Sequence, residues 1–336
     1  MNKIAKTVLM TGTALCAAGV VLSTAGYFAG GKDFTYTSDH MYVSGGNSSS
    51  RKNLTVMKKE QIDDFTKLNV DFENFDLDIR TSDDDHYYME YKLEKNGRRN
   101  PLTWKDKDGE LTLEESAGGS GSYYITYDLG IFSTHADLTE KKDALNTVIL
   151  YIPEKAKLSE AELQLSDGDL TADQLLCKEM TLELLNGDLM LDKGEFEKFD
   201  AKLSDGDLNV KELQCTDNMQ LKSGNGDVTI KKAELADGQI ALSDGDLQIG
   251  NSSFNGDMKI NSSCGDVSVE MKNGSAEKTN IYLKAADGDV DTEGLSRGKS
   301  DNEEDTSVYE NKAGTSAPTL NVKCSDGDIT LTESEK

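Results

Sequence analysis

Six aspartates recur at one place in a repeated pattern. Asp169, Asp188, Asp207, Asp227, Asp246 and Asp266 each follow a glycine, and those glycines stand 19, 19, 20, 19 and 20 residues apart. Asp289 and Asp328 extend the row, and Asp167, Asp205, Asp244 and Asp326 form a second row two residues earlier. Carboxylates at such spacing suit two kinds of chemistry. They can accept backbone N–H bonds within their own turns, or they can collect Ca2+, a hard cation that takes carboxylate and carbonyl oxygens. Like charges about 5 Å apart repel by roughly 1 kcal/mol in water and about 3 kcal/mol at an effective dielectric of 20, so either arrangement must offset that repulsion. Calcium-binding β-rolls use a nine-residue GGxGxDxUx repeat. Here Gly-Asp pairs stand nine residues apart only from Gly256 to Gly265, without the glycine pair. The turn reading is therefore preferred, with Ca2+ at the six aspartates as its rival and no other cofactor implied.

The remaining reactive side chains do not assemble into a motif. His40, His86 and His135 are isolated, and there is no HExxH, GxSxG or P-loop. A catalytic site needs a unique acid, base and stabiliser with separated environments, whereas this chain repeats one Asp and has five arginines. No catalytic residue is assigned. Any two of the 62 acidic residues could still converge as a glycosidase pair, so a carbohydrate-active β-helix enzyme, lyase or glycosidase, stands as the alternative. Against it, the stretch from Leu163 to Val269 contains no Tyr or Trp for a sugar platform. Cys16, Cys177, Cys215, Cys264 and Cys324 include no CxxC spacing. Cys177 and Cys215 fall in one column two repeats apart, about 9.6 Å, which is beyond disulfide reach. They read as small buried hydrophobes.

The elements that must position the aspartates follow from alignment on the glycines. Five residues before the glycine stand Leu163, Leu182, Ala201, Leu221, Ile240, Ile260, Leu283 and Val322, and two after it Leu170, Leu189, Leu208, Val228, Leu247, Val267, Val290 and Ile329. Four after it come Ala172, Leu191, Val210, Ile230, Ile249, Val269 and Leu331, and nine after it Cys177, Phe196, Cys215, Leu235 and Phe254. Apolar and polar residues alternate with period two in each short segment, which predicts strands. The alternation breaks across S-D-G-D, which predicts a turn there, with glycine supplying positive φ. Helices are excluded, because apolar spacing of two cannot make an amphipathic helix. The expected fold is all-β: a parallel β-solenoid with about 19 to 20 residues per coil.

Taken in order, residues 1–31 carry Lys3 and Lys6 and then no charge from Thr7 to Gly31. About 20 apolar residues suffice to span a bilayer, and the lysines would stay on the cytoplasmic side. A single-pass transmembrane helix is the first expectation; a cleaved signal peptide, with Ser23 and Ala25 as a small-x-small site, and a lipoprotein signal at Cys16 are its rivals. Residues 32–60 read as a flexible stalk. Residues 61–155 read as an irregular β region that caps the solenoid, beginning with a first coil in which Leu68, Val70, Phe72, Leu77 and Ile79 flank Phe75-Asp76. The solenoid spans 156–291, a polar loop insertion 292–318, and a final coil 319–336. With 36 basic against 62 acidic residues, the formal charge of -26 repels phosphate backbones, so nucleic-acid partners are excluded.

The stretch FENFDLDIRTSDDDHYYMEY, the segment VILYIP and the repeated SDGDL together resemble the β-strand-repeat "putative adhesin" family of Gram-positive envelope proteins, from about Leu68 to Leu331. That resemblance implies an N-terminal helical tether, a place beside cell-envelope stress systems and no established catalysis. The reading is a non-catalytic, membrane-tethered, extracytoplasmic scaffold or adhesion module, its cytoplasmic N-terminus on one side of the cell membrane and its ectodomain on the other. The expected partners are the membrane itself, envelope proteins or wall components.

Overall fold

The computed structural model describes residues 34–36, 41–43, 54–95, 100–116, 145–292, 295, 298–303 and 306–335. The chain divides into two compact units, Met1–Lys52 with Gly118–Lys141 and Asn53–Ala117 with Lys142–Lys336. In the first unit, the described residues form one antiparallel pair, Phe34–Tyr36 with Met41–Val43. Residues 1–31, on which the anchor expectation falls, lie outside the described residues. No helix among the described residues is long and apolar enough to cross a membrane.

The second unit is all-β and solenoidal. Leu170–Asn186, Leu189–Asp205, Leu208–Asn225 and Val228–Asp244 each run from one Gly-Asp corner to the next and pair in parallel with the equivalent strand of the following coil. Coils are named below by their glycines. The columns expected five before, four after and nine after the glycine are buried throughout. So is the column two after it except at Val290, which is partly buried. Stacking them makes one continuous core, from Ile62 to Leu331. The interval from Gly206 to Gly226 is one residue longer than its neighbours, and the extra residue is absorbed as a bulge before Asn218. The ladder therefore stays in register on either side of it.

Both ends depart from simple sequence order. Lys67–Phe72 and Asp76–Ser82 form the expected first coil under Leu158–Leu165 and Leu170–Ala172. Beyond them, Glu110–Glu115 and Thr147–Pro153, later in sequence, pair in parallel as an outer coil. Antiparallel strands finish this end. Tyr87–Glu94 pairs with Thr147–Pro153 and Leu54–Ile62 with Tyr87–Glu94, while Leu102–Lys107 pairs with Glu110–Glu115. The β region thus begins at Leu54, inside the stretch expected as stalk, because Tyr87–Glu94 offers an edge for it to pair with.

At the other end, Thr319–Asp326 lies between Met258–Cys264 and Asn280–Asp287, and Ile329–Glu333 lies between Val267–Met271 and Val290–Asp291. The last coil in sequence is therefore second from last in space. The expected loop 292–318 contains a hairpin, Lys299–Glu303 with Thr306–Asn311, laid antiparallel on the outer edge of Asn280–Asp287. Its buried residues are Ser307, Tyr309 and Asn311, an alternation that low apolar content conceals.

Candidate functional site

The Gly-Asp corner is the most repeated polar feature of the molecule, and close approach explains its glycine. A Cβ on Gly206, at φ +138, would stand 2.1 Å from the carbonyl oxygen of Gly187. Gly168 has no positive φ, yet a Cβ there would stand 2.1 Å from the carbonyl oxygen of Phe75. Backbone contact between coils, as much as the turn conformation, excludes a side chain.

The aspartates at this corner bond between coils rather than within their own turns, which corrects the expectation. Oδ1 of Asp76 accepts the backbone N–H of Asp169 at 3.0 Å, Asp169 that of Asp188 at 2.9 Å, and Asp188 that of Asp207 at 2.8 Å. Asp207 accepts from Asp227 at 2.8 Å, Asp227 from Asp246 at 2.9 Å and Asp246 from Asp266 at 2.8 Å. The ladder then follows space rather than sequence, from Asp266 to Asp328 and from Asp328 to Asp289, both at 2.8 Å. A hydrogen bond to a charged acceptor contributes about 1.5 to 3 kcal/mol, which matches the repulsion between neighbouring carboxylates; exposure and salt screen that repulsion further. A second corner repeats the device: Asp237 Oδ1 accepts the N–H of Asp257 at 2.6 Å, and Asp257 Oδ1 accepts that of Thr319 at 3.0 Å. This is where the lone nine-residue spacing of Gly-Asp pairs belongs.

The second row of acids is diluted. Asn186 Nδ2 donates to Asp167 Oδ1 at 2.8 Å and Asn225 Nδ2 to Asp205 Oδ1 at 2.6 Å. Asp and Asn thus alternate from Asp167 to Asp244. The signal stood in the sequence as NGD among the SDGD repeats.

All six candidate Ca2+ ligands are brought into one column, each with Oδ1 holding an N–H. One carboxylate oxygen per coil remains, in a row, whereas Ca2+ takes six to eight oxygens around one centre. Among the described residues, no group of three or more His, Cys, Asp and Glu side chains converges as a metal site. Cys177 and Cys215 face Phe196 from either side and, like Cys324, are buried free thiols, while Cys264 is exposed and free. Burial pushes the Cys177 thiol up to about 12, so it stays protonated and unreactive. His86 sits exposed in a turn, its N–H donated to Asp84 Oδ1 at 2.9 Å; His40 and His135 lie outside the described residues.

A polar cluster near the N-terminal end has no signature in the sequence. Arg80 donates twice to Asp78 Oδ2, at 2.5 and 2.9 Å, and the Tyr151 hydroxyl donates to Glu90 at 2.6 Å. Lys59 Nζ sits 3.8 Å from the Tyr151 ring centre and 4.9 Å from that of Tyr88. Asp78 and Glu90 face each other across Ile149, and each is engaged by its own partner.

The outward positions of the coils differ by row. Lys198–Glu179, Lys202–Glu183 and Lys211–Asp192 pair across neighbouring coils at 2.9, 2.6 and 2.7 Å. Three after the glycine, by contrast, Thr171, Met190, Asn209, Thr229, Gln248, Ser268 and Thr330 stack coil on coil, between Asp78 at one end and Asp291 at the other. On a chain of net charge -26 this is an uncharged stripe, and Met190 on it is 51% exposed.

Among solved structures, a "putative adhesin" from Parabacteroides merdae is 16% identical, covering 85% of this chain and 98% of its own, at a TM-score of 0.47. A "putative adhesin" from Parabacteroides distasonis is also 16% identical, over 85% of this chain and 98% of its own, at 0.44. A "putative lipid binding protein" from the same species is 12% identical over the same shares, at 0.40. No curated protein matches the sequence. The profile of the Toastrack DUF4097 family matches residues 65–332, nearly the whole solenoid with its caps, and the chain belongs to that family.

Proposed function

We propose that the protein is a non-catalytic interaction module of the cell envelope, held to the membrane by residues 1–31 with its solenoid outside the cytoplasm. The observation that carries the reading is the uncharged stripe from Thr171 to Thr330. It offers hydrogen-bonding groups at the regular spacing of stacked strands, about 4.8 Å, without the charge that covers the rest of the chain. A partner meeting the middle of this row finds uncharged groups between the aspartate ladder on one side and Asp173, Asp192, Lys211 and Lys231 on the other, so a narrow uncharged polymer strand or a polar segment of an envelope protein laid along it fits. The aspartates, in this reading, hold the coils together, and the stripe makes the contact. The tether is supported by the uncharged run from Thr7 to Gly31 behind Lys3 and Lys6.

The test is capture from envelope extracts with the chain lacking residues 1–31, beside the same chain carrying Asn209→Arg and Gln248→Arg. Both sites are exposed and outside the core. A partner retained by the wild type and lost by the double variant is expected. Equal retention by both, or turnover in a parallel lyase and hydrolase screen, overturns the reading. For the tether, protease added to intact, wall-stripped cells should digest the chain from Asp33 onward, and full protection would place it elsewhere.

A further inference from the structure

The coil closed by Gly327, like Lys67–Ser82 at the other end, is held between coils that do not continue into it. Its neighbours in space are the Gly265 coil, about 60 residues earlier in the sequence, and the Gly288 coil, which precedes it by 39 residues. Its seat is complete. Leu320, Val322, Cys324, Ile329 and Leu331 are all buried. The N–H of Asp328 reaches Asp266 Oδ1 and its own carboxylate receives the N–H of Asp289, both at 2.8 Å. Gly265 donates to the Asp326 carbonyl at 3.0 Å, and Gly327 to that of Asp287 at 3.1 Å. The segment therefore docks as a ligand would, into a slot whose two walls belong to parts of the chain already joined by residues 272–279.

A hinge leads into it from the hairpin. Residues 312–318 pass from Thr306–Asn311, on one side of Asn280–Asp287, to Thr319–Asp326 on the other. That crossing needs about two strand spacings, roughly 9.6 Å, and seven residues reach about 24 Å. The hinge rests on one side chain. Asn280 accepts from Ala313 and Gly314 at 2.9 and 3.2 Å and donates to the carbonyls of Gly314 and Ala317 at 2.9 and 3.1 Å. An open surface pocket of about 430 Å³, bordered by Ile281, Tyr282, Lys312 and Thr315, adjoins the hinge.

We propose that residues 319–333 are an exchangeable strand donor, and that the slot between the Gly265 and Gly288 coils accepts the same segment from a second copy of this chain. An empty slot leaves two parallel strand edges unpaired and three apolar columns interrupted, the condition that recruits a strand from outside. The segment that fits it, L-N-V-K-C-S-D-G-D-I-T-L, is carried by every copy. An identical element exchanged through a hinge keeps every native contact and changes only which chain supplies it. The other internal coil held between walls from distant sequence, Lys67–Ser82, is joined by short turns on both sides to the cap strands Leu54–Ile62 and Tyr87–Glu94, whereas residues 319–333 are led in by the longer segment 312–318.

Ser262 and Cys324 make the exchange readable. They are opposed in parallel register and both buried, and neighbouring strands stand about 4.8 Å apart, within the range a disulfide bridges. A full-length S262C/C324S chain carries only the acceptor thiol of that pair, and the wild-type chain only the donor. The two are mixed in equal amounts, opened in mild denaturant, refolded at rising concentration and oxidised, and the linkage is mapped by mass spectrometry. A 262–324 bond between chains is expected, its yield rising with concentration and falling when a synthetic 319–333 peptide is added. The S262C single variant, which holds both thiols, serves as the control and should close the bond within one chain when refolded dilute. Should the double variant fail to refold, S262C alone decides: a covalent 262–324 dimer at high concentration supports exchange. Bonds confined within chains at every concentration, or failure of the dilute control to close, overturn it.

Discussion

The two ends of the solenoid solve one problem in opposite order. At the N-terminal end the inner coil, Lys67–Ser82, is made first, and the outer coil, Glu110–Glu115 with Thr147–Pro153, is laid on it from later sequence. At the C-terminal end the outer coil, Asn280–Asp291, comes first, and the inner one, Thr319–Glu333, is inserted afterwards. The first arrangement grows by adding strands to an existing edge. The second needs a gap to stay open until residues 319–333 arrive. An aspartate rung joins the inner coil to the array at both ends, Asp76 to Asp169 and Asp266 to Asp328, so the larger difference lies in connectivity. Removing one coil should therefore have different consequences at the two ends.

The largest effect is expected from deleting residues 319–336. Asn280–Asp291 then loses its inner neighbour and keeps only the hairpin on its outer edge, and this three-stranded piece, cut off from the stacked core, should exchange its amides freely while the coils from Gly168 to Gly245 keep their protection. Hydrogen exchange read by mass spectrometry checks this. Protection of Asn280–Asp287 that survives the deletion would mean that the outer coil stands without the inner one, and the comparison fails.

Next in size are single truncations in the shared apolar columns. Leu77 and Leu331 are buried at 0%, one in each inner coil, and either changed to Ala should cost about 2 to 5 kcal/mol. The kinetics should separate them. A coil inserted last contributes little to the transition state, so Leu331→Ala should mainly speed unfolding, whereas Leu208→Ala in the middle should also slow folding. Gln174→Ala, half-buried and outside the columns, loses only the 2.6 Å bond from Nε2 to the Glu154 carbonyl and should cost under about 1.5 kcal/mol. Equal partition between rates at Leu331 and Leu208 would remove the kinetic distinction between the C-terminal coil and the rest.

Much of this was legible because it is periodic. The columns from Leu163 to Val269 could be aligned without a structure, and the missing glycine at Phe75-Asp76 did not hide the first coil, because Asp76 still supplies the rung for Asp169. Periodicity says nothing about spatial order. LNVKCSDGDITL reads as a coil wherever it docks, so its place inside the Gly288 coil had no signal. The bonding of each carboxylate to the next coil was equally hidden, since a turn that serves itself and one that serves its neighbour have the same sequence. The cluster of Arg80, Asp78, Tyr151 and Glu90 assembles from strands paired across the cap, and no local spacing marks it.

Smaller effects belong to the aspartate ladder. Asp207→Asn keeps an oxygen to accept the N–H of Asp227 and removes repulsion from Asp188 and Asp227, so stability should be unchanged or rise by less than about 1 kcal/mol. Millimolar Ca2+ should leave the wild-type Tm where it is. A calcium-dependent rise of several degrees, absent with Mg2+ and lost in Asp207→Asn, would instead assign the column to the ion.

The smallest effect tests the ladder's N-terminal end, where the rung differs from those above it. Asp76 is partly buried, and its own N–H is donated at 3.0 Å to the carbonyl of Asn146, a residue at φ 63 that stands in for the missing Gly-Asp corner. Burial raises the Asp76 carboxyl above the ordinary value of 3.8. The N–H of Asp169 opposes that rise, and the charge of Asp169 adds to it. A carboxyl raised in the fold favours its protonated form there, so its contribution to stability is fully present below the unfolded value and is lost as pH climbs through the folded one. Asp76→Asn keeps an oxygen for the Asp169 N–H and removes the ionisation. It also loses the Thr147 hydroxyl bond to Oδ2, 3.4 Å long, but that loss shifts stability equally at every pH. The difference in stability between Asp76→Asn and wild type should therefore move in the variant's favour as pH rises from about 3.5 to 7, measured by urea titration at fixed salt. A flat difference would show that water reaches this corner as freely as the exposed rungs, and a difference of opposite sign would show that the Asp169 N–H outweighs burial.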